Sequence, residues 1–154
     1  MNELSNWVPI QAIIKATINT RHLIPFYGSC VHAGFPSPAD NYIERACDLN
    51  DLCISNLEAT YFVQVTGDSM IGDHIVEGDV LVVDCSRKAT EGKIVVASYN
   101  GEDTVKRLHY HTGGPAGKGV VLRASNPRYE PIYVKPGDDF RIFGVVTFVI
   151  HKPQ

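Results

Sequence analysis

Hydrophobic and polar positions change rhythm near residue 60. From there on, short runs of β-branched and aromatic residues recur: Tyr61-Phe62-Val63-Gln64-Val65, Val80-Leu81-Val82-Val83-Asp84, Ile94-Val95-Val96-Ala97-Ser98-Tyr99 and Thr104-Val105-Lys106-Arg107-Leu108. Val120-Val121-Leu122-Arg123, Ile132-Tyr133-Val134 and Ile142–Ile150 complete the set. Such residues suit a pleated, half-buried surface. Asn100-Gly101 separates the third run from the fourth. Both central positions of a tight hairpin turn need positive φ, which Asn and Gly tolerate, so this pair predicts a hairpin. Six or seven short strands with Gly, Pro and Asn between them predict a compact, barrel-like, mostly-β domain.

Upstream the pattern is weaker. Tyr42, Ile43, Ala46, Leu49, Leu52 and Cys53 fall near helical spacing, with Asp48 and Asn50 interrupting, so a short helix or two is expected between Asp40 and Leu57. Tyr27–Pro38 is rich in turn residues, and Pro36 and Pro38 block helix and central strand alike. That stretch reads as an extended, exposed arm. The expected organisation is an arm over residues 1–33, a linker with a short helix over 34–59, and a β domain over 60–154. Gly113–Gly119 reads as a surface loop; a phosphate cradle would need a helix after it.

Composition narrows the function. The 154 residues are 44% hydrophobic and 20% charged with a net charge of −3, as for a soluble globular protein. Residues 1–33 hold Lys15 and Arg21 against Glu3, a net of +1, so the remainder carries −4. A chain without the arm is a poor ligand for DNA phosphates, and no direct DNA binding is expected. Trp7–Ala16 is broken by Pro9 and Lys15, and the longest apolar run, Ile142–Ile150, is of strand length. Neither resembles a signal core or a membrane helix, so a cytoplasmic location is expected. Cys30, Cys47, Cys53 and Cys85 lack CxxC spacing and read as reduced thiols.

Two residues stand out chemically. Ser69 lies in Val65-Thr66-Gly67-Asp68-Ser69-Met70, where a strand gives way to a Gly turn. A hydroxyl presented at a strand end suits a nucleophile, and the backbone N–H groups of Asp68 and Ser69 are candidates to face a developing oxyanion. Most Gly-Asp-Ser serines are plain turn residues. No S-x-x-K or G-x-S-x-G pattern is present. Among the histidines (His22, His32, His74, His109, His111, His151) none is spaced to favour a Ser-His-Asp triad. His109 and His111 would share a strand face, but two histidines alone seldom hold a metal; no metal or cofactor is expected. Lys106, within a predicted strand, is the sharper candidate base. On an exposed face it would be an ordinary lysine, whereas burial would lower its pKa from about 10.4 and make a neutral amine available. The pattern leaves the choice of face open.

Taken together, Tyr61–Met70, Ile75-x-x-Gly78-Asp79-x-Leu81-Val82-Val83-Asp84, Gly92-x-Ile94-Val95-Val96-Ala97, Thr104-Val105-Lys106-Arg107-Leu108 and Gly144-Val145-Val146 resemble the LexA/UmuD peptidase domain. The separation of 37 from Ser69 to Lys106 fits its serine-to-lysine interval. Gly34-Phe35-Pro36-Ser37-Pro38-Ala39 and Leu49-Asn50-Asp51-Leu52 resemble the UmuD branch, the accessory proteins of DNA polymerase V and their plasmid-borne relatives. The likeness spans about residues 24–150. It implies a LexA/signal-peptidase-like β-barrel-like domain with an N-terminal arm. It also implies Ser69 as nucleophile, Lys106 as general base and Ala33-Gly34 as the bond the protein cuts in itself. Small residues on both sides of that bond would let an extended arm enter a narrow cleft. The resemblance further implies stimulation by a RecA nucleoprotein filament after DNA damage, and a shortened homodimer serving a UmuC-type translesion polymerase. Met1–Thr20 matches nothing in that pattern.

Two other readings compete. A LexA-like repressor would need a helix-turn-helix domain, for which the 33 residues before Gly34 are too few. A non-proteolytic module would keep the serine and lysine idle and only dock a polymerase. Signal peptidases share the chemistry but act at membranes, and no membrane association is expected.

Overall fold

The structure, a computed structural model, describes residues 21–27, 43–112 and 119–153. The chain divides into two compact units, one within Thr17–Ser55 and one within Asn56–Gln154.

In the first unit, β1 (Ile24–Tyr27) pairs antiparallel with β2 (Ile43–Cys47), matching Ile24 to Cys47 and Pro25 to Ala46. The helical spacing over Tyr42–Cys53 is therefore only half right: Leu49–Cys53 forms a short helix, α1, but Ile43–Cys47 is a strand. Asp48 is the reason. Its buried carboxylate accepts from the Asn50 backbone at 2.8 Å, the Asn50 amide at 2.7 Å and the His22 backbone at 2.7 Å. An N-cap has extended φ/ψ, so capping at 48 starts the helix there and keeps it from continuing backwards. The turn-rich arm of residues 28–42 and the 113–118 part of the loop lie outside the described residues.

The second unit is a seven-stranded antiparallel sheet. Its strands are β3 (Thr60–Gln64), β4 (Val80–Asp84), β5 (Ile94–Tyr99), β6 (Glu102–His111), β7 (Gly119–Arg123), β8 (Ile132–Tyr133) and β9 (Phe140–Ile150). The spatial order is β3-β4-β9-β5-β6-β7-β8. The predicted mostly-β class holds, but the sheet keeps two edges, β3 and β8, and does not close into a barrel. Closure fails because β8 is a two-residue edge strand bonded to β7 alone.

Two apolar clusters flank the sheet. Val65, Met70, Ile75, Leu81, Val83 and Val96 form one, and Val95, Ala97, Leu108, Leu122 and Val145 the other. Adjacent residues such as Val95 and Val96 join opposite clusters because strand side chains alternate. The β5–β6 hairpin turns at Asn100 (φ 49°) and Gly101 (φ 85°), as the Asn-Gly pair predicts. A two-residue turn leaves no freedom in register, and it sets Lys106 opposite Val95.

Candidate active site

Alternation along β6 decides the face of Lys106. Val105 packs against the first cluster and Leu108 belongs to the second, so Thr104, Lys106 and Leu108 share the Val95 face. Lys106 is 6% exposed. Its Nζ lies 2.9 Å from Ser69 Oγ, 2.8 Å from Thr104 Oγ1 and 3.0 Å from the Val105 carbonyl oxygen. Burial alone pushes the amine down from its ordinary value. Three polar neighbours, with no carboxylate bonded to it among the described residues, suit an uncharged amine. Its two N–H bonds can go to Thr104 and Val105, leaving the lone pair for the Ser69 hydroxyl.

Ser69 reaches this point on a loop. After β3, Gly67 takes φ 80°, a left-handed turn open to glycine, and Met70 sinks into the first cluster at 2% exposure. The loop is then held from the β7–β8 connection. Asn126 donates its side-chain N–H to the Asp68 carbonyl at 3.0 Å, and the Ser125 backbone donates to the Ser69 carbonyl at 3.0 Å. Ser125 Oγ accepts from the Asp73 backbone N–H at 3.0 Å. Gly72 faces this connection so closely that a Cβ would lie 2.1 Å from the Ser125 carbonyl oxygen. Across the turn Ile71–Asp73, Arg107 of β6 bonds Asp73 and the Gly92 carbonyl, tying the segment after Ser69 to the strand that carries Lys106.

Asp68 has two roles. Its carbonyl meets Asn126, while its carboxylate takes the Tyr129 hydroxyl and the Arg128 guanidinium. The Tyr129 hydroxyl, and then Arg128, hold that carboxyl below its ordinary range, and Asp68 in turn raises the Tyr129 phenol.

His74, His109, His111 and His151 are engaged elsewhere. His109 pairs with Glu91 at 2.6 Å, His151 with the buried Asp79 at 2.7 Å, and His111 lies edge-on to Tyr133. His74 is the left-handed cap of the Ile71–Asp73 turn. Among the described residues no three His, Cys, Asp or Glu side chains converge as a metal site would require, and no helix is long and apolar enough to cross a membrane. Ala33 and Gly34 lie outside the described residues. The structure brings the sequence candidates Ser69 and Lys106 into contact and adds neighbours that sequence reasoning did not name: Asn126, Ser125, Gly72 and the Arg107–Asp73 link. The Asn126-Pro127 turn pair was the one local signal available, and it says only that the chain bends.

An antiparallel sheet that buries a lysine against a serine at a loop end fits a hydrolase using a serine and an amine. The chain matches the Peptidase S24-like family over residues 25–147 and belongs to that family. Within it, the chain is similar to the UmuD-like members. It is 42% identical to protein SamA of Salmonella typhimurium over 84% of this chain and 86% of the relative. It is also 42% identical to protein MucA of Escherichia coli, over 82% of this chain and 83% of that protein. A LexA repressor of Anaeromyxobacter sp. is 40% identical over 84% of this chain but only 54% of its own length.

Proposed function

We propose that this protein cuts itself once, between Ala33 and Gly34, with Ser69 as nucleophile and Lys106 as general base. The observation that carries the reading is the 2.9 Å contact between a buried amine and the Ser69 hydroxyl. Lys106 Nζ takes the Ser69 proton as Oγ bonds to the Ala33 carbonyl carbon. The resulting oxyanion is met by backbone N–H groups at Asp68 and Ser69. Collapse breaks the Ala33–Gly34 bond, and Lys106 hands its proton to the departing Gly34 nitrogen. Water, deprotonated by the same amine, then releases Ala33 as a carboxylate and frees Ser69. The arm is carried by the same chain as the cleft, which raises its effective concentration and compensates for weak intrinsic recognition.

The biological setting in this reading is the one that resemblance to the UmuD branch implies. Cleavage is prompted by a RecA nucleoprotein filament after DNA damage. The processed homodimer then serves a UmuC-type polymerase in translesion synthesis, as part of SOS mutagenesis in the cytoplasm. The net charge of −4 beyond residue 33 favours protein partners over DNA itself.

The test is incubation of purified protein at rising pH, and separately with RecA filaments, followed by N-terminal sequencing of the large fragment. A new terminus at Gly34, faster release at higher pH, and no release from Ser69→Ala or Lys106→Ala are expected. A fragment that still forms in Lys106→Ala would end the role given to the amine. No fragment under either condition would leave a polymerase-docking role alone.

A further inference from the structure

We propose that Asn126 is a positioning residue for the cleavage reaction: by gripping the Asp68 carbonyl it fixes the peptide plane whose opposite edge is the Ser69 N–H. The inference rests on the role given to Ser69 above.

A peptide unit is planar and, when trans, sets its C=O and N–H on opposite sides. All the described peptides are trans. Whatever holds the Asp68 oxygen therefore aims the Ser69 N–H away from itself. Asn126 is that holder, at 3.0 Å from its side-chain nitrogen. The competing intraloop bond to the same oxygen, from Ile71 N–H, is stretched to 3.4 Å and is too weak to orient the plane alone.

Asn126 is itself immobilised. It is 3% exposed, its Oδ1 accepts from the Arg128 backbone at 3.1 Å, and its own carbonyl accepts from the Tyr129 backbone at 3.1 Å. Both ends of its amide are thus used, which also settles which end faces Asp68: the end facing a carbonyl must be the donor. The neighbouring Ser125 N–H grips the next carbonyl, that of Ser69, so two successive planes are fixed from one side. A loop without these grips could rotate the 68–69 plane and turn the N–H out of the cleft while Ser69 and Lys106 stayed in contact.

Asn126→Asp separates this role from a role in folding. The aspartate keeps the size and the acceptor for Arg128 but cannot donate to the Asp68 carbonyl. Alkaline self-cleavage would be followed across pH for wild type, Asn126→Asp and Asn126→Ser, with a thermal melt of each. Losing a single oxyanion donor costs about 10²–10³-fold in rate, and misaiming one part of that, so the plateau rate should fall about 10–100-fold. The pH midpoint of the rate, which reports the Lys106 amine, should stay in place. A plateau within about threefold of wild type would overturn the proposal. So would a fall accompanied by a shifted midpoint and a lowered melt, or failure of both variants to fold, because Asn126 would then act on the fold. If wild type releases no fragment while remaining folded, the assignment of Ser69 fails first and this inference with it. If wild type cleaves and Asn126→Asp matches it, only the inference fails.

Discussion

The two halves of the candidate site are built by opposite means. Lys106 stands on β6, between two paired neighbours, β5 and β7, where register fixes its face and its depth. Ser69 stands on a loop with no ladder to hold it. Its place comes from the buried Met70, from the side chains of Asn126 and Ser125 more than 50 residues away, and from Arg107 reaching across to Asp73. A strand delivers a side chain through many weak, repeated backbone bonds, whereas a loop does so through a few that each matter. Changes on the strand side should therefore alter chemistry without loosening the molecule. Changes that strain the backbone of the loop should alter both.

The largest separation is expected for Lys106→Met. The substitution removes the base and should reduce self-cleavage by about 10²–10⁴-fold, the usual range for general-base catalysis. It should also stabilise the fold near neutral pH. Burial lowers the Lys106 pKa in the folded protein, so between that value and about 10.4 the unfolded chain binds a proton that the folded one does not. Stability from this group accordingly rises with pH across that window, and below it a constant penalty remains. An apolar side chain of similar volume abolishes the penalty. Urea unfolding at pH 7 and pH 10 should show the variant ahead of wild type at pH 7, with the gap closing at pH 10. A variant less stable than wild type at both would mean that the sheet depends on the amine.

Gly72→Ala tests the loop side. A Cβ at that position would lie 2.1 Å from the Ser125 carbonyl oxygen, and backbone cannot rotate away as a side chain can. Pushing the β7–β8 connection back strains the same bonds that hold Asp68 and Ser69. Overpacking of this sort costs about 1–3 kcal/mol, and cleavage should slow along with stability. Chemical denaturation combined with the alkaline cleavage assay reads both. A destabilised variant that cleaves at the wild-type rate would show that the grip on the loop and the position of Ser69 are independent.

The same contrast explains what the sequence revealed. Strand runs, the Asn100-Gly101 turn and the buried run of β4 are written in local alternation, so β3 to β9 could be placed, and Lys106 with them. The face of Lys106 was not, because a lysine between Val105 and Arg107 alternates equally well either way. It took the pairing with Val95 to decide. Asn126 and Gly72 were invisible for another reason. Their importance lies in a contact between segments about 50 residues apart, and nothing in either segment announces the other. The strand at Ile43–Cys47 was misread because six apolar positions between Tyr42 and Cys53 happen to fall near a 3.6-residue period, while the evidence against a helix, a cap at Asp48 accepting from His22, comes from outside the segment. The open sheet was misread because a run of strands signals a β domain without saying whether its edges meet.

The smallest effect should come from the outer ring of the loop. Tyr129→Phe removes one of two partners of the Asp68 carboxylate, leaving Arg128 in place. The group lies at the surface, where water replaces a lost hydroxyl and side-chain entropy offsets much of any pair. The carboxylate is also not what positions the backbone; the carbonyl of the same residue is, and Asn126 still holds it. Self-cleavage in Tyr129→Phe should therefore stay within about fivefold of wild type, the span covered by exposed charge pairs. Its pH midpoint should not move, since Tyr129 makes no contact with the amine among its bonds to the described residues. A loss as large as that of Asn126→Asp would reverse the ranking. The loop would then be held by its solvent-facing carboxylate, and the buried amide would be packing.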